Sequence, residues 1–152
     1  MVWGCFSYKG VGRLFIVPKG TTVNPQVYKT ILEKRMLPSA RDLYPDNEYI
    51  FQDDGAPCHR AKSVKSWLLE NNIRTLENWP GQSPDVNPIE NLWSLMKGVV
   101  RKRMPKSRTE LIAAVIYAWN HVVKKETIEK LVDSLPNRLK AVIAAKGFAT
   151  KY

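Results

Sequence analysis

The sequence predicts an α/β fold that ends in helices. Up to about residue 86, short runs of β-branched and aromatic residues alternate with stretches of helical periodicity. Beyond that point only the helical period remains. A length of 152 residues, with 44% hydrophobic and 25% charged content, suits one domain with a buried core. No apolar run approaches the ~20 residues of a membrane span, so no membrane association is expected. Met1 to Phe6 lacks the basic start and long apolar stretch of a signal peptide. Cys5 and Cys58 form no pairing framework, which suits a reducing compartment.

The opening reads as a β-hairpin: Val2, Trp3, Cys5, Phe6 and Tyr8 form one strand, Leu14 to Val17 the other, with Gly10 and Gly12 supplying the turn. Asn24-Pro25 is a helix start, with Val27, Tyr28, Ile31 and Leu32 recurring up to Met36-Leu37. Pro38 marks its end or a break. Tyr44 to Asn47 is a turn. Residues 48–54 form a strand with its carboxylates at the far end. A helix from about Cys58 to Asn71 follows, with Ala61, Val64, Trp67 and Leu68 on one face. Residues 73–76 are a short strand, and residues 79–85 a proline-punctuated loop.

The remainder is helical. One helix starts at Asn87-Pro88 and runs to about Arg103, and Met104-Pro105-Lys106 breaks the chain. Ser107 to Glu110 is a capping box, and the helix after it aligns Leu111, Ile112, Val115, Trp119 and Val122. Residues 126–133 and 136–146 complete the order, with Gly147 as a C-cap.

The net charge of +10 is unevenly spread. Residues 1–90 hold eleven Lys/Arg against ten Asp/Glu; residues 91–152 hold thirteen against four. A basic second part is the footprint of a polyanion partner, or equally a set of solvated lysines. Lys97, Arg101, Lys102, Arg103, Lys106 and Arg108 gather around one helix end and the following loop. Phosphate contact is one reading, and a basic helix terminus favoured by the dipole is the other. Arg101-Lys102-Arg103 also has the composition of a short nuclear localisation signal.

Two acids stand out. Asp54, with Asp53, sits at a strand end before Gly55, where open α/β sheets gather their chemistry; Asp-Gly is also ordinary turn chemistry. Glu90 falls in the first turn of its helix, where capping alone explains a glutamate, although such a carboxylate can also hold a metal. Carboxylates from separate elements suit Mg²⁺ or Mn²⁺. Zinc fits poorly, since Cys58 and His59 are adjacent with no second ligand pair nearby; His59 is expected to cap, pack, or touch the site from its edge.

Phe51-Gln52-Asp53-Asp54-Gly55-Ala56-Pro57-Cys58-His59 resembles the second-aspartate motif of mariner-superfamily DDE transposases. Trp79-Pro80-Gly81-Gln82-Ser83-Pro84-Asp85-Val86-Asn87-Pro88-Ile89-Glu90-Asn91-Leu92-Trp93 is similar to the glutamate motif of the same family. The opening Met1 to Ser7 and the ending Lys146 to Tyr152 resemble it too, so the similarity spans the chain. It implies that Asp54 and Glu90 are catalytic and metal-holding, with thirty-five residues between them, one more than the commonest spacing. Gly55 replaces the usual asparagine, and Asp53 stands where glutamine is more frequent.

The resemblance also implies a ribonuclease H-like mixed sheet flanked by helices, here truncated, because the chain begins at what corresponds to the second strand. The first, central strand with its catalytic aspartate is then missing. Residues 1–104 are expected to form a partial catalytic domain and 105–152 a helical extension of it. Implied partners are DNA (transposon ends and target) in the nucleus, two Mg²⁺ or Mn²⁺ ions, and self-association or a full-length transposase. With two of three acids, this chain alone is expected not to cut DNA. Without the central strand, the hairpin and residues 48–54 are expected to pair with each other or to leave open edges. The competing readings are a non-catalytic DNA- or transposase-binding remnant and a degraded or incomplete element.

Overall fold

The computed structural model describes residues 1–76, 79 and 83–152. They group into two units, Met1–Gly4 with Phe15–Ser83 and Cys5–Leu14 with Pro84–Tyr152.

In the first unit, β1 (Val2–Trp3) pairs antiparallel with β4 (Phe15–Ile16), Val2 opposite Ile16 and Trp3 opposite Phe15. Helix α1 (Pro25–Ile31) starts as expected: the Asn24 side chain accepts the Val27 N–H at 2.9 Å, and Pro25 occupies the first turn. The helix does not stop near Pro38. It continues through a wide turn, Leu32–Met36, into α2 (Leu37–Leu43). The Leu37 N–H reaches back to the Leu32 carbonyl, five residues away. Widening the turn lets the helix absorb a proline ring that would otherwise crowd the carbonyl four residues before it.

Helix α3 (Lys62–Glu70) begins four residues later than the periodicity implies. Ala56 accepts the N–H groups of His59 and Arg60, and Ala61 is extended (φ −59°, ψ 139°), which delays the helix. Its expected face is correct. Val64 and Leu68 are buried, Ala61 and Trp67 partly so, against Tyr28, Leu32, Met36 and Ile73.

The expected strand at 48–54 is reduced to one parallel bridge, Phe51 to Thr75, with Phe51 N–H donating to Arg74 O (2.8 Å) and Leu76 N–H to Phe51 O (3.3 Å). Among the described residues this run pairs with 73–76 and not with the hairpin. The backbone past Phe51 turns to its own side chains instead: Asp53 and Asp54 accept the N–H groups of Gly55 and Ala56.

In the second unit, β2 (Phe6–Ser7) pairs antiparallel with β3 (Gly10–Val11), so the hairpin turns at Tyr8-Lys9, and Gly10 belongs to a strand rather than to the turn. Beyond this ladder the Gly12 N–H donates to Cys5 O at 2.8 Å.

Helix α4 (Ile89–Arg103) ends at Met104 in the left-handed region (φ 47°). Ser107 caps α5 (Arg108–Tyr117) by accepting the Glu110 N–H at 3.1 Å, while the Glu110 carboxylate reaches back to the Lys106 N–H at 2.7 Å. This is the expected capping box, closed one residue further back. A second wide turn (Ala118–Val122), α6 (Lys125–Asp133) and α7 (Leu135–Ala144) follow.

Leu111, expected on the buried face of α5, is exposed. The rest of the expected face holds: Trp119 is buried and Ile112, Val115 and Val122 are partly buried, joined by Ala114 and Ala118, with Ala118 and Trp119 in one cluster with Leu92 and Met96. Trp119 decides this orientation. Its ring stacks on Trp93 (5.5 Å between centroids), and its indole N–H donates to Gly12 O at 2.9 Å. After α7, Lys146 N–H bonds Ile143 O and Gly147 N–H bonds Val142 O, so Lys146 (φ 52°) takes the left-handed cap position and Gly147 (φ 83°) the next.

No helix of the described residues is long and apolar enough to cross a membrane.

Candidate active site

Asp53 and Asp54 follow the Phe51 bridge and are held by two successive side-chain-to-backbone turns. Asp53 Oδ1 accepts Gly55 N–H at 2.8 Å and Asp54 Oδ1 accepts Ala56 N–H at 3.0 Å. Gly55 adopts φ +66°, which a glycine takes without strain. The chain therefore doubles back, and His59 returns to Asp54, its Nδ1 lying 2.7 Å from Asp54 Oδ1. The imidazole is fixed from behind by a stack on Tyr28 (3.8 Å between centroids, 20° between planes). Tyr28 itself is fully buried in the α1–α3 core.

His59 thus does more than cap or pack: it is the side chain that faces Asp54. The signal available in the sequence was the five-residue step from Asp54 to His59 across a glycine turn. Nothing in the sequence marked Tyr28 as its support, because a tyrosine at helical spacing reads as core.

The contact with His59 holds the Asp54 carboxyl below the usual carboxylate range; partial burial opposes this, and the Ala56 N–H assists it. Burial pushes the Tyr28 phenol up, and the negative charges of Asp53 and Asp54 add to the effect. Burial likewise raises the Cys58 thiol, which is free. One donor atom each from Asp53, Asp54 and His59 lies within 4.8 Å of the others. Two carboxylate oxygens and an imidazole nitrogen at that spacing fit a divalent cation. The side chain of Asp54 is about half exposed and that of His59 13% exposed, so such an ion would have access to solvent and substrate.

Glu90 lies in the second unit, exposed in the first turn of α4. The helix begins at Ile89, whose N–H is accepted by the Asn87 side chain at 3.2 Å. Glu90 is therefore one residue nearer the helix start than the capping-box position expected for it. It still sits at the positive end of the helix dipole. Of the motif preceding it, Pro80, Gly81 and Gln82 lie outside the described residues.

Lys97, Arg101, Lys102, Arg103, Lys106 and Arg108 all lie in the second unit and are all exposed. They span the later turns of α4, the break after Met104 and the first residue of α5. Arg103 stacks its guanidinium over the Tyr117 ring at 3.5 Å.

Comparison with known proteins gives the fold and the family. The fold is set by solved structures. The catalytic domain of Mos1 transposase, solved with raltegravir and Mn, superposes with a TM-score of 0.87 over 99% of this chain and 76% of that one, at 21% identity. Its counterpart with Mg gives 0.86 at 22% identity. The fold is accordingly ribonuclease H-like. Residues 4–112 match the family described as DDE superfamily endonuclease, and the chain belongs to that family.

Among curated relatives it is 37% identical over 152 residues to the Tcb1 transposase of Caenorhabditis briggsae and 35% identical to the Tc1 transposase of Caenorhabditis elegans. The match takes in all of this chain but 54% of each relative. The chain is homologous to the catalytic part of Tc1/mariner transposases and spans about half the length of those relatives.

Proposed function

We propose that this chain supplies Asp54 and Glu90 to a divalent-metal site that cleaves and joins DNA phosphodiesters, as part of a DDE transposase. The observation that carries the reading is the cluster of Asp53, Asp54 and His59 donor atoms within 4.8 Å, in a member of an endonuclease family. Structures of Mos1 with Mn and with Mg, and of its paired-end complex with left transposon end, support divalent ions and transposon-end DNA as the ligands. When bound, a pair of Mg²⁺ or Mn²⁺ ions activates the attacking oxygen and stabilises the leaving one.

The protein's own contribution is to aim the acids. The turn at Gly55 and the His59 ring hold the Asp54 carboxylate in one orientation and keep it ionised. Glu90 presents its carboxylate from a helix start. Asp53, with its oxygen engaged by Gly55, plays the lesser part. Two acids are too few to hold two ions tightly, so the 152 residues by themselves should not nick DNA.

Iron-directed cleavage tests the site directly. With Fe²⁺, ascorbate and peroxide, the polypeptide should be cut near residues 54 and 90, and Asp54→Asn should abolish both cuts. Cutting at neither place, or loss at residue 54 alone, overturns the shared site. In parallel, supercoiled plasmid with Mg²⁺ or Mn²⁺ should stay intact. Nicking that disappears in Asp54→Ala would show that two acids suffice.

The exposed basic residues favour a second reading, a module that contacts DNA without cutting it. Lys97, Arg101, Lys102, Arg103, Lys106 and Arg108 offer six positive charges. If all six neutralise phosphates, log affinity should fall against log salt with a slope of about −5. Arg101→Glu with Lys102→Glu should flatten that slope. The same run is proposed to direct the chain to the nucleus, and loss of nuclear accumulation in this double variant tests it. Self-association, or pairing with a full-length transposase, is the further partner the reading allows.

A further inference from the structure

We infer that Asp85, Arg138 and the stretch Thr150–Tyr152 form a clasp that positions the start of α4, and with it Glu90; the link to Glu90 rests on the metal-site reading above. Asp85 stands five residues before Glu90, joined to it by a loop whose Val86 and Pro88 are buried. Its Oδ2 accepts the Thr150 N–H at 2.6 Å, and its backbone carbonyl accepts an N–H from Arg138 Nη1 at 3.0 Å. One residue is thus tied through both its side chain and its main chain to segments 53 and 65 positions away.

Arg138 is the keystone. It is only 2% exposed, an unusual state for a guanidinium, and its position is over-determined. Nε donates to Ser134 Oγ at 2.7 Å, and Ser134 Oγ donates in turn to Leu131 O at 2.6 Å, at the end of α6. The face of the guanidinium is covered by the Tyr152 ring, 4.8 Å from its carbon. A buried charge with several fixed partners holds its acceptors rigidly, since releasing any one leaves it short of a partner.

The Thr150 N–H and hydroxyl hold the Asp85 carboxyl below the usual carboxylate range. Its Oδ2 is engaged by the Thr150 N–H, and Asp85 acts in the clasp as a positioning residue. What it positions is the run Val86-Asn87-Pro88, from which Asn87 supplies its side chain to Ile89 N–H and its carbonyl to Glu90 N–H (3.3 Å), and Pro88 its carbonyl to Leu92 N–H (3.4 Å).

Hydrogen exchange in the 152-residue chain tests this. Thr150→Pro deletes the donating N–H outside every helix, and Asp85→Ala deletes the acceptor. Each should speed exchange at the amides of Ile89, Glu90 and Leu92 about tenfold, the loss of one charge-assisted hydrogen bond. Because they remove the same contact, the double variant should be no faster than the faster single. Unchanged exchange in both singles, additive effects, or an equal rise at the amides around Trp119 would each overturn the clasp.

The iron-cleavage assay separates the two ideas. If Fe²⁺ never cuts near Glu90 while exchange responds as stated, the clasp stands and the metal reading falls. If Fe²⁺ cuts there and exchange does not respond, the metal reading stands and the clasp falls.

Discussion

The two acids at the centre of the functional reading are supported in opposite ways. In the first unit, Asp54 is held by neighbours: Ala56 two residues on and His59 five residues on, with Tyr28 behind the imidazole. In the second unit, Glu90 stands on a helix start whose anchor, Asp85, is bound by residues 53 and 65 positions away. One site is written in a nine-residue motif, braced from outside it by Tyr28. The other depends on the whole helical unit being folded. Disturbing distant residues should therefore harm Glu90 far more than Asp54.

Trp119→Ala gives the largest test of that contrast. It removes a buried indole, its stack on Trp93 and its hydrogen bond to Gly12, and should cost about 3–5 kcal/mol in a denaturant melt. Exchange protection should fall around Glu90 and stay near its original level around Asp54; equal loss at both would dissolve the comparison.

His59→Ala is the converse, a local lesion. It deletes the stack on Tyr28, worth about 0.5–1.5 kcal/mol beyond area, and the partner of Asp54. Because the folded-state value of Asp54 is lowered, its contribution is present above the unfolded carboxylate value and is lost as pH falls through the folded one. The wild-type chain should lose stability across that acid window, and His59→Ala should lose less. Melts between pH 6 and pH 2, roughly the range bracketing ordinary carboxylates, would check this.

Ser107→Ala should cost about 1 kcal/mol by leaving the Glu110 N–H without its cap, a loss confined to α5. An effect of similar size has the opposite sign. Lys146 holds φ 52° without being glycine, so Lys146→Gly should stabilise by about 1 kcal/mol in a thermal melt. A destabilised Lys146→Gly would mean that the lysine side chain contributes more than its backbone costs.

The contrast also explains what could be read from the chain beforehand. The helix starts at Asn24-Pro25 and Ser107, the apolar face of α3 and the location of Asp54 at a turn all follow from residues a few places apart, and the sequence displays those. Leu111 lies at the edge of the face that Trp119 leads inward, and a periodic pattern does not say how wide that face is. Residues 48–54 carry strand-forming side chains, yet their ladder is a single bridge at Phe51, and the Asp53 and Asp54 side chains engage the N–H groups of Gly55 and Ala56 just beyond it. Asp85 and Arg138 were silent. An aspartate in a proline loop and an arginine on a helix each look like surface, and only the fold makes them partners.

The wide turn after α1 has an arithmetic consequence. Tyr28, Leu32, Met36 and Ala40 are spaced four apart, and the first three are buried with Ala40 packed beside them. On an ideal α-helix a strict four-residue stripe drifts by about 40° at each step and would wind out of the interior within three steps. Residues 32–36 take up that drift with a looser coil, so the stripe stays on one side. Deleting one of those five residues would close the wide turn to the ordinary coil and leave α2 facing much as before, because the wide turn holds about one residue more than an α-helical turn.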